Sequence, residues 1–248
     1  MIDMRRAIAG GAVVLALALG PAGAHPAPID AASATAAAVE AYEQGDLTTA
    51  ARLFERGARG GNRLARFNYA MMLYRGEAHS SDSRAVWRWL RRAAHDGLPQ
   101  AQYNFGLLYE HGDRVERDDR VAHEWFARAA GQGLRDAQLS LATQYFIGQG
   151  VAQDYAHAAR WYEAAAQGGD AGAQYIIGHM YEAGYGVAPD LRRAAYWYRR
   201  AGAQGDPAAR IKYHALREQL AEPAAPPAPG PLSPPSPDSS ARTPAPGH

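Results

Sequence analysis

The stretch Ala101-Gln-Tyr-Asn-Phe-Gly-Leu-Leu-Tyr109, continued by Gly112, Asp118, Ala122-His-Glu-Trp125-Phe126, Ala129 and Gly133, decides the fold. Ala101, Phe105, Leu108 and Tyr109 share one side of a helix with a 3.6-residue period, and Gly112 stops it. Asp118 then offers a carboxylate to the free amides at the start of a second helix. Ala122, Trp125, Phe126 and Ala129 form the apolar stripe of that helix, and Gly133 supplies the left-handed residue beyond its end. The stretch is a helix hairpin.

Working outward, the same hairpin recurs every 36 residues. Tryptophans stand at Trp89, Trp125, Trp161 and Trp197, alanines at Ala65, Ala101, Ala137, Ala173 and Ala209, and glycines at Gly61, Gly97, Gly133, Gly169 and Gly205. Asp46, Asp82, Asp118, Asp154 and Asp190 keep the same step. Several columns in one register predict four units over 65–100, 101–136, 137–172 and 173–208, stacked as an all-α solenoid. Trp89, Trp125, Trp161 and Trp197, with Ala101, Tyr109, Tyr145 and Tyr181, are expected in the repeat core, because a ligand site is not normally copied into every unit.

The columns resemble the Sel1-like repeat, a relative of the tetratricopeptide repeat. The resemblance is fullest in Gly148-Gln-Gly150-Val151, Trp161-Tyr162, Gly178, Tyr181, Gly184-Tyr-Gly186-Val187 and Trp197-Tyr198. The second unit departs at Arg114, where the loop's second glycine should be. The first departs further, with Leu73 in the tyrosine column and no loop motif from Glu77 to Ser81. Upstream, residues 35–64 resemble a tetratricopeptide hairpin with a shorter loop and are expected to cap the N-terminal end. Residues 209–220 are expected as a C-terminal capping helix. The resemblance implies a right-handed superhelix whose first helices line the concave surface. It also implies an adaptor role in protein quality control, polysaccharide assembly, secretion or signalling, without choosing among them.

The two ends read differently. Arg5 and Arg6, the uncharged run from Ala7 to Leu19 and Ala22-Gly23-Ala24 have the order of a secretory signal peptide over 1–24, followed by a linker over 25–34. A helix of that run rises about 20 Å, against about 30 Å of bilayer hydrocarbon, so the expectation is cleavage, with no membrane span afterwards, and a periplasmic or secreted product. Loss of Asp3, Arg5 and Arg6 would take the basic and acidic totals from 26 and 25 to 24 and 24, which leaves no electrostatic footprint for nucleic acid. The chain contains no cysteine, so packing alone must stabilise it. Ten of the 16 prolines fall within 221–248, which reads as a disordered tail. Its Pro226/Pro229, Pro231/Pro234 and Pro234/Pro237 spacings also fit polyproline ligands.

No catalytic constellation is visible. G-x-S-x-G, H-E-x-x-H and phosphate-binding glycine fingerprints are missing, and the loop glycines belong to the repeat. His179 and Glu182 share a helix face, but two ligands are too few for a zinc site, so neither metal nor cofactor is expected. One group of Sel1-like proteins, with paired cysteines, has been linked to β-lactam binding. A cysteine-free chain does not inherit that role.

The functional signal lies on the other face of each first helix. Counting each leading alanine as the first position, the third holds Phe67, Tyr103, Leu139 and Tyr175. The seventh holds Met71, Leu107, Thr143 and His179, and the tenth holds Tyr74, Glu110, Phe146 and Glu182. A solvated face would be mostly charged, whereas this one mixes aromatic, aliphatic and acidic groups. Phe67, Met71, Tyr74, Tyr103, Leu107, Glu110, Phe146, Tyr175, His179 and Glu182 are therefore the candidate partner-binding residues, the third column having packing against an adjacent first helix as its alternative. The reading is an exported scaffold that binds a protein segment. Rivals are an envelope polysaccharide binder, for which rings and acids would also serve, and an enzyme with an unrecognised site.

Overall fold

The computed structural model describes residues 30–221, so the expected signal peptide, residues 25–29 of the linker and residues 222–248 of the tail lie outside the described residues. Eleven α-helices and no strand occur among the described residues. They are α1 (Ala31–Glu43), α2 (Leu47–Arg59), α3 (Arg63–Arg75), α4 (Ala85–His95), α5 (Pro99–His111), α6 (Asp119–Gly131), α7 (Arg135–Ile147), α8 (Tyr155–Gln167), α9 (Ala171–Ala183), α10 (Leu191–Ala203) and α11 (Pro207–Ala221). Each helix packs chiefly on its chain neighbours, so five hairpins stack in line and α11 covers the last.

Helix boundaries follow capping chemistry. The side chains of Asp118, Asp154 and Asp190 accept bonds from first-turn amides of α6, α8 and α10, and Asn62 and Asp170 do the same for α3 and α9. Gly76, Gly112, Gly148 and Gly184 end α3, α5, α7 and α9 in the left-handed conformation. Each regular loop closes when the Asp amide donates to a tyrosine carbonyl, Asp118 to Tyr109, Asp154 to Tyr145 and Asp190 to Tyr181. Two expected edges shift. Residues 31–34, read as linker, are the first turn of α1, because Asp30 caps it by accepting from the Ser33 amide. The final helix starts at Pro207 rather than Ala209, with the Asp206 carboxylate taking the Ala209 amide.

Small residues and rings alternate at the contacts. Ala65, Ala101, Ala137, Ala173 and Ala209 are all fully buried. The residue after each column tryptophan goes deepest: Leu90, Phe126, Tyr162 and Tyr198 are at most 5% exposed. Gly106 meets one of these rings so closely that an added Cβ would sit 2.7 Å from Phe126. Trp89, Trp125, Trp197 and Tyr181 are also buried, while Tyr109, Tyr145 and Trp161 are half-buried. Arg92, Arg128 and Arg200, three residues on, lie over Trp89, Trp125 and Trp197 at 5.1, 4.4 and 5.6 Å from the ring centroids. Ala164 holds the corresponding place after Trp161.

Amides stitch one unit to the next. Buried Gln102 and Gln174 donate to the carbonyls of Ala94 and Ala166 near the C-terminal end of the preceding second helix, which also accept from the Gly97 and Gly169 amides. Their own Oε1 atoms accept from Gln132 and Gln204 at 2.7 and 2.8 Å. The buried apolar residues nonetheless fall into two clusters, one ending at Leu141 and the other beginning at Ala142. Half-buried Tyr145 and Trp161 pack against both.

Candidate functional site

The ten candidate residues do not form one surface. Phe67, Met71 and Leu107 are at most 3% exposed and belong to the core, which corrects their assignment to a binding face. A first helix is wedged between two second helices, its own and the preceding unit's, so both its flanks are covered rather than one stripe. In the third column, the Tyr103 ring lies 5.4 Å from Phe126 and the Tyr175 ring 5.4 Å from Tyr198. Their rings thus pack on the second helix of their own hairpin, and the Tyr103 hydroxyl also reaches Ser140 on the adjacent first helix, α7.

Units three and four leave a different surface. Thr143 and His179 occupy the seventh column in the open, where Met71 and Leu107 are buried. The half-buried Phe146 ring is 5.1 Å from Tyr155, Tyr155 is 5.7 Å from Tyr185, and Tyr185 is 5.9 Å from His179. Tyr155 and Tyr185 are 36% and 43% exposed, so this run of rings reaches solvent. Gln153 fixes one end of it: its Nε2 donates to the Phe146 carbonyl at 2.8 Å and to the Tyr155 hydroxyl at 3.1 Å.

Reading single helices misses Tyr155 and Tyr185, because one opens α8 and the other is the middle residue of Gly184-Tyr-Gly186. The signal was present in two columns taken together. The loop's middle residue meets the first residue of the preceding unit's second helix, as Gln149 Nε2 does when it donates to Asp119 at 3.2 Å. Where both positions carry tyrosine, rings must gather.

The two acidic candidates behave oppositely. Glu182 accepts from the Tyr198 hydroxyl at 2.6 Å and from Lys212 Nζ at 2.9 and 3.1 Å, with His179 Nδ1 at 3.7 Å. Burial raises its pKa, but the bonds from Tyr198 and Lys212 outweigh that and hold it below the usual glutamate value. The Tyr198 hydroxyl is pushed strongly up, first by burial and then by Glu182. Glu182 therefore ties the cap α11 to the last hairpin. Glu110 is half-buried, and desolvation raises its carboxyl above the usual range, with Asp119 adding to the effect and His111 opposing it. Tyr74 is half-buried beneath the Arg114 guanidinium, 5.8 Å from its ring centroid.

Among the described residues no three His, Cys, Asp or Glu side chains converge as metal ligands. What units three and four present is stacking area, a histidine and hydroxyl groups, a combination suited to holding an extended ligand. Among the described residues no helix is long and apolar enough to cross a membrane.

The Sel1 repeat family model matches residues 31–62, 63–98, 99–134, 135–170 and 171–206. The first of these is the hairpin whose short loop resembles a tetratricopeptide repeat, so all five hairpins carry the same repeat. Among solved structures, the chain is similar to c5321, a protective antigen present in uropathogenic Escherichia coli strains and displaying an SLR fold, with 32% identity and a TM-score of 0.70. That match covers 77% of this chain and 42% of the antigen, so the chain spans less than half of that protein's length. A Sel1 repeat protein from Oxalobacter formigenes is similar at 27% identity and a TM-score of 0.65, over 77% of this chain and 87% of that one. No protein of curated function matches the chain.

Proposed function

The chain belongs to the Sel1 repeat family, whose members generally act as scaffolds for protein interaction, and on that premise we propose that it is an exported, non-catalytic adaptor holding a protein segment against units three and four. The observation that carries the reading is the exposed aromatic run Phe146–Tyr155–Tyr185–His179. Exposed rings that pack on one another cost little entropy to fix, and they give an incoming segment large contact areas with hydroxyl groups at the rim. Export rests on the order of segments within residues 1–24 and on nothing in the fold.

The test is capture of partners from an envelope extract by the native protein and by a Phe146→Ser/Tyr185→Ser variant. The circular dichroism of the variant should stay close to native, since half-exposed side chains contribute little to the fold. Its captured set should fall by about 10-fold or more, as loss of an interface aromatic usually costs over 1 kcal/mol. An unchanged set from a folded variant would move the working surface elsewhere. A second reading has one observation behind it: the exposed faces of Tyr155 and Tyr185 could stack on sugar rings. Sedimentation with purified cell wall, lost in the same variant, would favour that reading over a protein partner.

A further inference from the structure

The repeat provides an internal control at every position, and at one junction the loop glycine, the start of the facing helix and a side chain of that helix change together. Arg114 stands where Gly150 and Gly186 stand in later units, and it keeps their left-handed backbone with φ of 62°. An L-residue with a side chain adopts that conformation at a cost, and such strain is an observation that calls for a function. At Gly150 and Gly186 a Cβ would fall 2.1 Å from the backbone at Asp119 and Tyr155, the first residues of α6 and α8. The corresponding helix α4 begins later, at Ala85 rather than at Ser83, and this gives the Arg114 side chain its space. Trp87 replaces the small buried Ala159 and Ala195. Arg91, in a column that also holds Ala127, Glu163 and Arg199, lies over the Trp87 ring at 5.2 Å.

The result is a cavity of about 320 Å³ lined by Ser83, Arg84, Trp87, Tyr109, Arg114 and Val115. Its volume lies at the lower end of the range that small-ligand sites occupy. Among the described residues no carboxylate pairs with the Arg84 guanidinium. Among the described residues the one carboxylate paired with Arg114 is Asp113, at 3.9 Å, and the guanidinium also lies over the Tyr74 ring. The Trp87 indole Nε1 is buried without an acceptor. The walls thus hold two under-paired guanidiniums and an orphan donor beside the apolar surfaces of Trp87, Tyr109 and Val115.

We propose that this junction is a second binding site, which takes a carboxylate on a short apolar stem, with Arg114 and Arg84 pairing the carboxylate and Trp87 and Val115 covering the stem. Guanidinium geometry suits a carboxylate, and the apolar wall distinguishes this ligand from a bare anion. A chain-terminal carboxylate and an acidic side chain share this chemistry. The site does not depend on the aromatic run of units three and four and would survive the failure of that reading.

Calorimetric titration of the full chain separates the possibilities with three acetylated probes: the peptide Gly-Ser-Gly-Ala-Leu with a free C-terminal carboxylate, its C-terminal amide, and that amide with glutamate in place of serine. At least one carboxylate probe should bind about 10-fold or more tightly than the plain amide, and which one does so identifies the source. Arg114→Gly should weaken that binding about 10-fold while raising Tm by about 2 °C, because it relieves the left-handed strain. Arg84→Gln should weaken binding with Tm unchanged, and Phe146→Ser/Tyr185→Ser should leave it untouched. The proposal is overturned if a folded Arg114→Gly variant binds as the native chain does, if neither carboxylate exceeds the amide, or if inorganic phosphate displaces the probe at the probe's own concentration.

Discussion

The loop edges before α5 and after α7 are built from the same repeat and end differently. From α7 onward each hairpin turns on Gly-x-Gly-Val, and an Asp amide closes the loop onto a tyrosine carbonyl. In the first unit the Asp82 amide turns instead to the Ser80 hydroxyl, and α4 starts late with no side-chain cap. The regular edge brings the next loop into backbone contact and leaves rings in the open. The irregular edge loosens that contact and fills the gap with arginines. A lost column carries information when its neighbours across the junction change with it, as Arg114 and Trp87 do.

The sharpest way to break this comparison is Gly186→Ala. Its Cβ would lie 2.1 Å from the Tyr155 carbonyl at a φ of 68°, so the loss should be about 3 kcal/mol by urea unfolding. Arg114→Gly should show no loss at the equivalent position. Equal destabilisation by both would mean that the two edges do not differ.

Next comes the tryptophan column. Trp125 is buried under Arg128, and Trp125→Ala should cost about 3 to 5 kcal/mol. Trp161 is half-buried with Ala164 in the arginine's place, and Trp161→Ala should cost about 2 kcal/mol less. Matching losses in thermal unfolding would remove the distinction between the halves.

Tyr198→Phe should cost about 1 kcal/mol at pH 7, because the hydroxyl bond to Glu182 joins α9 to α10. The Glu182 pKa is lowered on folding, so its contribution is present above the ordinary glutamate value and is lost as pH falls through the folded one. The gap between native and Glu182→Gln Tm values should therefore narrow from pH 7 to pH 3. The smallest effect has the opposite sign. Burial raises the Glu110 pKa, so its charged form opposes folding once pH exceeds the ordinary value, and Glu110→Gln should gain under about 1 kcal/mol at pH 7 and nothing at pH 3. A loss at pH 7 would show that Glu110 is paired rather than desolvated.

The architecture was legible because Ala101, Gly133 and Trp125 each repeat in a single register, and no other arrangement keeps three such columns in step. The binding face was legible only in part. A stripe drawn on one helix assumes one neighbour, and Leu107 is buried because α5 has two. Glu182 looks free until Lys212, 30 residues away, is brought beside it. Tyr155 and Tyr185 were missed because they meet across a loop, and the stitching by Gln102 and Gln174 was missed because a polar residue within an apolar run reads as solvent-facing.

The division of the apolar interior between Leu141 and Ala142 bears on how the molecule carries load. Stacked hairpins coupled only to their neighbours behave as springs in series, and such a chain extends most where its coupling is softest. At that division Tyr145 lies between the His123 and His157 rings, and among the described residues no arginine lies over the half-buried Trp161. Tension along the solenoid would therefore pass between two apolar bodies through the side chains of Tyr145 and Trp161, which pack against both.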